Sequence, residues 1–573
     1  MVSSQRELTQ PLYFRIARGL RSYLGTPDGA IDISLDKTLN SKELAAEESQ
    51  DSRLKANAIY EEAADFDVFQ KLKSLGVDIS EIDKVANGTL DCFFACDSLA
   101  RSFGSVAVAQ AGQSSFKEWL SEFWSAQQSE TFPACIFRPS SSEEAAAAVL
   151  LARLTQCEFA VKSGGHASFA DASNRRDGLT IDLASLNEVT VNEDRRVVSI
   201  GPGNRWHDVY SALEPDNLTV VGGRVASVGV GGLTLGGGIS FFSNLYGWAC
   251  DNIVNYEVVT ASGDIINANA TSNPDLFWAL RGGGNNFGLV TRLNTYAYPQ
   301  GLMWGGDRIF PTAINSSLIR KFVDWGRGKN GSVEDPKGAV IISYSYDTGS
   351  ATWRAVNSLE YAVQQADGNH PAAFDSFFDM PNPVYDSTGT KYQSQLTLEW
   401  DAAGPNGFRQ TFWTLSFVLD ERIISEVLQI WYEETEPLTR LDFTIQFPAL
   451  AFQVITLSQI EYMSRAGGNA LGLPGTSEPL LIVNWTYMWD EASEDDKVLE
   501  AYARILSRAK AAGEMLGVNH RYIYQNYASQ VEDPIDGYGP ETKAKLLAIS
   551  QKYDPTGVFQ RLQPGYFKLE QAH

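Results

Sequence analysis

The chain predicts an α+β fold in two lobes, and three observations carry that expectation. Short apolar strand runs recur between residues 159 and 263, with helical patterns set irregularly among them, unlike the strict alternation of a parallel sheet. Glycine is dense between residues 164 and 305 and falls sharply beyond. After that point longer strand candidates alternate with helices, as in "AVIISYSY", "SQLTLEW" and "LLIVNWTYMW". At 573 residues there is room for more than one domain. The divisions fall at 1–125, an acidic helical extension in which nothing carries chemistry, then 126–305, 306–515 with an antiparallel sheet, and a closing segment 516–573.

In chain order, the arginines and apolar residues of "FRIARGL" suggest a short amphipathic helix near the N-terminus. "PSSSEEAAAAVLLARL" places serines before glutamates and an alanine-rich run, which is a helix start. "FAVKS" follows as a strand stopped by Gly164 and Gly165. The next strands are "LTIDL", "RVVSIGPG", "LTVVGG" and "NYEVVTASG", with helices expected at "RWHDVYSAL" and "DLFWALRGG".

Bulk properties narrow the function. A net charge of −24 argues against nucleic acid, whose binding draws on excess Lys and Arg, and against an anionic membrane surface. No apolar run approaches the ~20 residues of a membrane span. The N-terminus lacks the apolar core of a secretory signal, so a cytoplasmic location is expected. Five cysteines form an odd and sparse set that implies no disulfide framework, with pairing of Cys96 and Cys135 left open. "CFFAC" has no histidine partner nearby, so no metal is expected.

Glycine carries the strongest local signal. Three clusters fall within about 130 residues: Gly164 and Gly165, then "GGRVASVGVGGLTLGGGIS" from 222, then "RGGGNNFGLVTR" from 281. Without a Cβ, backbone can approach a ligand closely, and successive N–H groups suit a pyrophosphate. Three such bends beside strands favour a dinucleotide. Yet no G-x-G-x-x-G, P-loop, H-E-x-x-H or G-x-S-x-G pattern occurs. The first cluster also holds His166, one of only five histidines.

The motifs "PACIFRPSSSEEAAAAV", "FAVKSGGHASFADAS", "GLTIDLASLNEV", "VGGRVASVGVGGLTLGGGISFFSNLYGWACDN" and "DLFWALRGGGNNFGLVTR", followed near the end by "YIYQNYASQVEDPIDGYG", resemble one family in their order. They are similar to the FAD domain of the vanillyl-alcohol-oxidase and p-cresol-methylhydroxylase flavoproteins, nearest to the berberine-bridge-enzyme-like fungal branch. The resemblance implies a bipartite FAD-binding domain, built from 126–305 with 516–573 returning to it, and a central substrate domain. It implies FAD held by Lys162, Ser163, Gly164, Gly165, His166, Ala167, Ser168, Gly223, Val225, Val228, Gly229, Gly231, Gly232, Gly236, Gly237, Gly238, Val290, Tyr524 and Asn526. His166 matches the histidine that bonds the flavin ring covalently in that family. Val225 stands where many members have a second, cysteinyl link, so attachment through His166 alone is expected, and Cys250 reads as packing.

The family's oxygen gate falls at Val228, a small residue, which implies dioxygen as electron acceptor. "YQNY" matches a Tyr-x-Asn-Tyr motif and makes Tyr527 the catalytic base. A free phenol titrates near ~10, so that role needs a cation or donors close by. Arg521 offers the same strand face at a distance, and Glu399 competes from the central region. His207, His370, His520 and His573 have no supporting constellation. The expected activity is an FAD-dependent oxidase that takes hydride from a small organic substrate in secondary metabolism. The alternatives are a flavin-scaffolded non-redox cyclase and an oligosaccharide oxidase.

Overall fold

The structure, a computed structural model, describes residues 66–81, 91–328, 332–366, 368–381, 383–441 and 443–570. The amphipathic N-terminal stretch, most of the acidic extension and His573 lie outside them. Three sheets follow one another along the chain. The first holds β1 (Val108–Gln110), β2 (Cys135–Phe137), β3 (Phe159–Lys162) and β4 (Leu179–Asp182) in the order β1-β2-β4-β3. β4 runs parallel to β2 and β3, and β1 antiparallel to β2. Helix Ser142–Thr155 starts as its sequence predicts. The Ser141 side chain accepts from the Glu144 N–H, and the Glu144 carboxylate accepts from the Ser140 N–H. Residues Ala145 to Ala152 are all buried, because four alanines in a row let sheet and helix close on every side.

Cysteine pairing corrects the sequence expectation. Two disulfides join Cys92 to Cys157 and Cys96 to Cys135, leaving Cys250 free and buried. The four-residue spacing of "CFFAC", read as a failed metal pattern, sets Cys92 and Cys96 on one face of helix Cys92–Phe103. That face meets the first sheet and the end of the alanine-rich helix. With separations of 39 and 65 residues, each bond removes unfolded-chain entropy of about 4 kcal/mol.

The second sheet comprises β5 (Val189–Val191), β6 (Val197–Ile200), β7 (Leu218–Val220), β8 (Ile253–Val259), β9 (Ile265–Asn269) and β10 (Leu289–Pro299). Its order is β5-β6-β10-β8-β9, with β7 also on β10. The third has nine strands: β11 (Met303–Pro311), β12 (Gly338–Asp347), β13 (Thr352–Tyr361), β14 (Tyr385–Asp386), β15 (Gly389–Lys391), β16 (Arg409–Val418), β17 (Gln446–Ile455), β18 (Leu480–Trp489) and β19 (Asn519–His520). Every pairing in it is antiparallel, in the order β14-β11-β13-β12-β17-β18-β16-β19, with β15 on β11.

Strand alternation divides this sheet by function. On β18, Leu481, Val483 and Trp485 join a core shared with helices Asn315–Gly326, Glu421–Thr435 and Asp495–Leu516, while Asn484, Thr486 and Met488 turn the other way into a cavity. "SQLTLEW", expected as a strand, is instead helix Gln393–Asp401. Leu396, Leu398 and Trp400 alternate as a strand would. In the helix Leu396 and Trp400 are one turn apart, and Leu398 is left 48% exposed.

The chain end returns to the second sheet. Tyr522, Tyr524, Tyr538, Leu546 and Phe567 are buried in its core, and Val558, Phe559 and Leu562 in that of the first. Asn285 and Asn286 donate from their amides to the carbonyls of Gly565 and Phe567, at 3.2 and 3.0 Å. The Lys568 ammonium donates back to the Asn285 and Phe559 carbonyls at 3.2 and 3.1 Å, and burial lowers its pKa to about 7. Among the described residues no helix is long and apolar enough to cross a membrane, and no cluster of His, Cys, Asp and Glu could hold a metal.

Candidate active site

The three glycine-lined bends meet. A Cβ on Gly164 would stand 2.4 Å from the Gly229 nitrogen, and one on Gly229 would stand 2.1 Å from the Gly164 nitrogen. Backbone packs on backbone there, and no other residue allows it. The N–H groups of Gly282 and Gly284 both donate to the Leu235 carbonyl at 3.1 Å, which binds the third bend to the second. Between these bends and the open face of the third sheet lies a cavity of about 420 Å³.

Most of the sequence-derived residues line it: 163–168, Val225, Val228, Gly229, Gly231, Gly232, Val290, Tyr524, Asn526 and Tyr527. Five do not. Lys162 lies between Val161 and Ser163 on β3, so alternation turns it to the far side, where its ammonium meets Asp182 at 3.1 Å and Glu122 at 3.2 Å. Gly223 sits under the Trp206 indole, Gly236 against the Asn526 side chain, Gly237 against Trp248, and Gly238 between Leu233 and Ala249. These four glycines let the loop pack; they do not face the cavity.

His166 does. Its ring stacks on Trp124 with centroids 4.2 Å apart and planes 10° from parallel. Its Nε2 is buried without a hydrogen-bond partner. Burial, aided by the Arg205 charge, lowers the imidazole pKa to about 3, so the ring is neutral at any physiological pH. Trp124 was assigned no chemistry from sequence, yet it forms part of this wall. His207, His370 and His520 lie away from it.

Tyr527 stands on a single 3₁₀ turn, Gln525–Tyr527, where a strand was expected. Its hydroxyl oxygen receives the Arg224 guanidinium at 2.6 Å and the Gln453 amide at 2.9 Å. Two donors on one phenol oxygen turn its hydrogen elsewhere and meet negative charge developing there. Arg521, the cation expected from sequence, packs instead against Gly539. Glu399 is on helix Gln393–Asp401, paired with Lys391 at 2.6 Å. It lines the cavity together with Asp307, whose carboxyl burial raises to about 6. Sequence reading missed Arg224, Gln453, Asp307 and Trp124. Only Arg224, a cation set inside the second glycine cluster, left a local signal.

Glu532 fixes the loop that carries Tyr527. Its carboxylate accepts from the backbone of Ser529 at 2.8 Å and of Thr414 on β16 at 3.3 Å. Burial raises its pKa to about 8 from an ordinary 4.5. The folded chain therefore holds this proton more tightly than the unfolded chain. Its contribution to stability is lost as pH rises from 4.5 to about 8. Glu532→Gln keeps an acceptor and removes the ionisation. Its melting temperature is expected to match wild type at pH 4.5 and exceed it at pH 8.5, by an amount equivalent to a few kcal/mol. Melting curves that run parallel across that range would contradict this.

The residues present suit the flavin that the sequence motifs imply. Backbone bare of side chains offers close approach, a neutral imidazole lies in the wall with its Nε2 unpartnered, and a phenol with two donors stands in the same cavity.

Comparison with known proteins agrees. Residues 133–269 match the model of an FAD binding domain. An FAD-dependent monooxygenase of Cochliobolus heterostrophus is 36% identical over 501 residues, covering 83% of this chain and 94% of the relative. One of Fusarium proliferatum is 35% identical, covering 78% and 87%. Among solved structures, 6-hydroxy-D-nicotine oxidase from Arthrobacter nicotinovorans superposes with a TM-score of 0.65 at 20% identity, covering 79% of this chain and 96% of that one.

Proposed function

From the premise that this chain belongs to the FAD-dependent oxidoreductases with the vanillyl-alcohol-oxidase fold, we propose that it is an oxidase. It removes hydride from a carbon of a small secondary-metabolite intermediate and uses dioxygen as final acceptor. FAD bound in the cavity would supply the two-electron acceptor for that hydride. His166 would hold it covalently, and alone, since Val225 offers no second bond. Acting as a phenolate, with Arg224 and Gln453 donating to its oxygen, Tyr527 takes the proton from the substrate heteroatom and becomes the neutral phenol. Apolar Phe412, Phe447 and Met488 beside polar Asn484 and Thr486 suit a largely apolar substrate with a few hydroxyl or carbonyl groups. The two disulfides favour folding in an oxidising compartment, in place of the cytoplasmic location expected from sequence.

One observation supports this reading above others: His166, the glycine bends and the Arg224–Tyr527 pair converge on a single cavity. The test screens alcohols, oligosaccharides and amines under ¹⁸O₂. An oxidase bleaches its flavin when mixed anaerobically with its substrate. It then releases one hydrogen peroxide per product once oxygen enters, and leaves no label in the product. Label in the product would replace oxidation with monooxygenation, the activity named for the relatives. Turnover without bleaching would mean a non-redox cyclase.

A further inference from the structure

We propose that Trp124 is the positioning residue for covalent attachment at His166, an inference that rests on the flavin reading above. Trp124 lies ahead of the residues that match the FAD binding domain and is held from three sides. Its backbone N–H donates to the Gly165 carbonyl at 3.0 Å, and its own carbonyl accepts from the Gly407 N–H at 3.0 Å. Its indole Nε1 donates to the Gly404 carbonyl at 2.7 Å. Phe412 meets its edge at 5.2 Å. The indole is thus a fixed plane, tied both to the glycine pair before His166 and to the loop between helix Gln393–Asp401 and β16.

The imidazole lies on that plane, 4.2 Å away and within 10° of parallel. A ring nitrogen attacks along its lone pair, which lies in the plane of the ring. Setting the ring parallel to the indole therefore aims both nitrogens along the cavity wall and keeps them off the tryptophan. Without the stack, His166 would follow two glycines that impose no side-chain constraint of their own. One of these, Gly165, has φ +67°. The sequence thus leaves the imidazole on pliable backbone, and Trp124 supplies the missing constraint.

Attachment forms one bond, from an imidazole nitrogen to the methyl carbon on the flavin's benzenoid ring. That carbon gives up one proton and the imidazole another, and the ring takes up both together with two electrons. Dioxygen then accepts the two electrons and two protons and leaves as hydrogen peroxide. Orientation alone is worth orders of magnitude in such a step, and a misplacement of ~1 Å can cost about 100-fold.

The experiment follows attachment itself, without turnover. Protein produced under riboflavin limitation is mixed with FAD in air, and flavin in the acid-precipitated pellet is measured over time. Wild type should accumulate pellet flavin, and His166→Ala none. Trp124→Leu and Trp124→Ala should attach at least about tenfold more slowly while still binding FAD without a covalent bond, seen as visible absorbance before acid. Trp124→Phe keeps a flat face, lacks only the Gly404 bond, and should restore the wild-type rate. Melting temperatures identify any variant that fails to fold, and the Phe variant then decides the question. If wild type itself leaves its flavin in the supernatant, the covalent reading of His166 fails. If wild type attaches and the Leu variant attaches as fast, or the Phe variant is as slow as Leu, the role of Trp124 is overturned.

Discussion

Replacing His166 with alanine is expected to move all of the protein's yellow colour from the acid pellet into the supernatant. The wild-type imidazole is half-buried and neutral, with its Nε2 buried and without a partner, a state that suits a nucleophile waiting for a carbon more than a structural hydrogen bond. No other described histidine lines the cavity, and Val225, which lines it too, carries no thiol for an alternative link. Loss of the stack on Trp124 should cost only about 1 kcal/mol, so the variant should fold and still bind flavin reversibly. Spectra recorded before and after precipitation separate the two effects. Colour that stays in the pellet of the alanine variant would place the bond on another residue.

Tyr527→Phe should lower the rate of flavin reduction by substrate about 10²- to 10⁴-fold, the usual worth of a positioned proton acceptor. Covalent flavin content should not change, because the Phe412 ring stands between Tyr527, 6.1 Å away, and Trp124, 5.2 Å away, and the substitution removes only the hydroxyl that Arg224 and Gln453 meet. Arg224→Gln should act in the same direction by a smaller factor, since Gln453 still donates to the hydroxyl oxygen at 2.9 Å. Anaerobic stopped-flow mixing reads both variants with no contribution from the oxygen reaction. Wild-type reduction by the phenylalanine variant would remove Tyr527 from proton transfer and turn attention to Asp307 and Glu399, which line the cavity together with Asp401.

What could be read from the sequence was local in the chain. Gly164, Gly165 and His166 form one continuous signal, because the strand end must approach the Gly229 backbone at Gly164 and turn with positive φ at Gly165. The helix start at Ser141 and most strands were legible for the same reason, through caps and alternation within ten residues. Partnerships across the chain were not. Arg224 and Tyr527 are 303 positions apart, and nothing near Tyr527 announced the cation beside it. Trp124 looked like one more aromatic in a helical extension until the fold brought it against His166. Periodicity misled at "SQLTLEW", where Leu398 is exposed and tertiary packing chose the helix. The disulfides hid in an odd cysteine count, although the helical spacing of Cys92 and Cys96 contained the clue.

The segment that follows the third sheet in the chain is also the one that holds the third glycine bend, through Gly565, Phe567 and Lys568. Without it Asn285 loses the Gly565 carbonyl, Asn286 keeps Gly283 but loses Phe567, and the wall formed by Tyr524 and Tyr527 is missing. The cradle is therefore complete only when this segment is docked. A chain cut before Tyr522 would carry His166 and every glycine of the cradle, and still have nothing to close it.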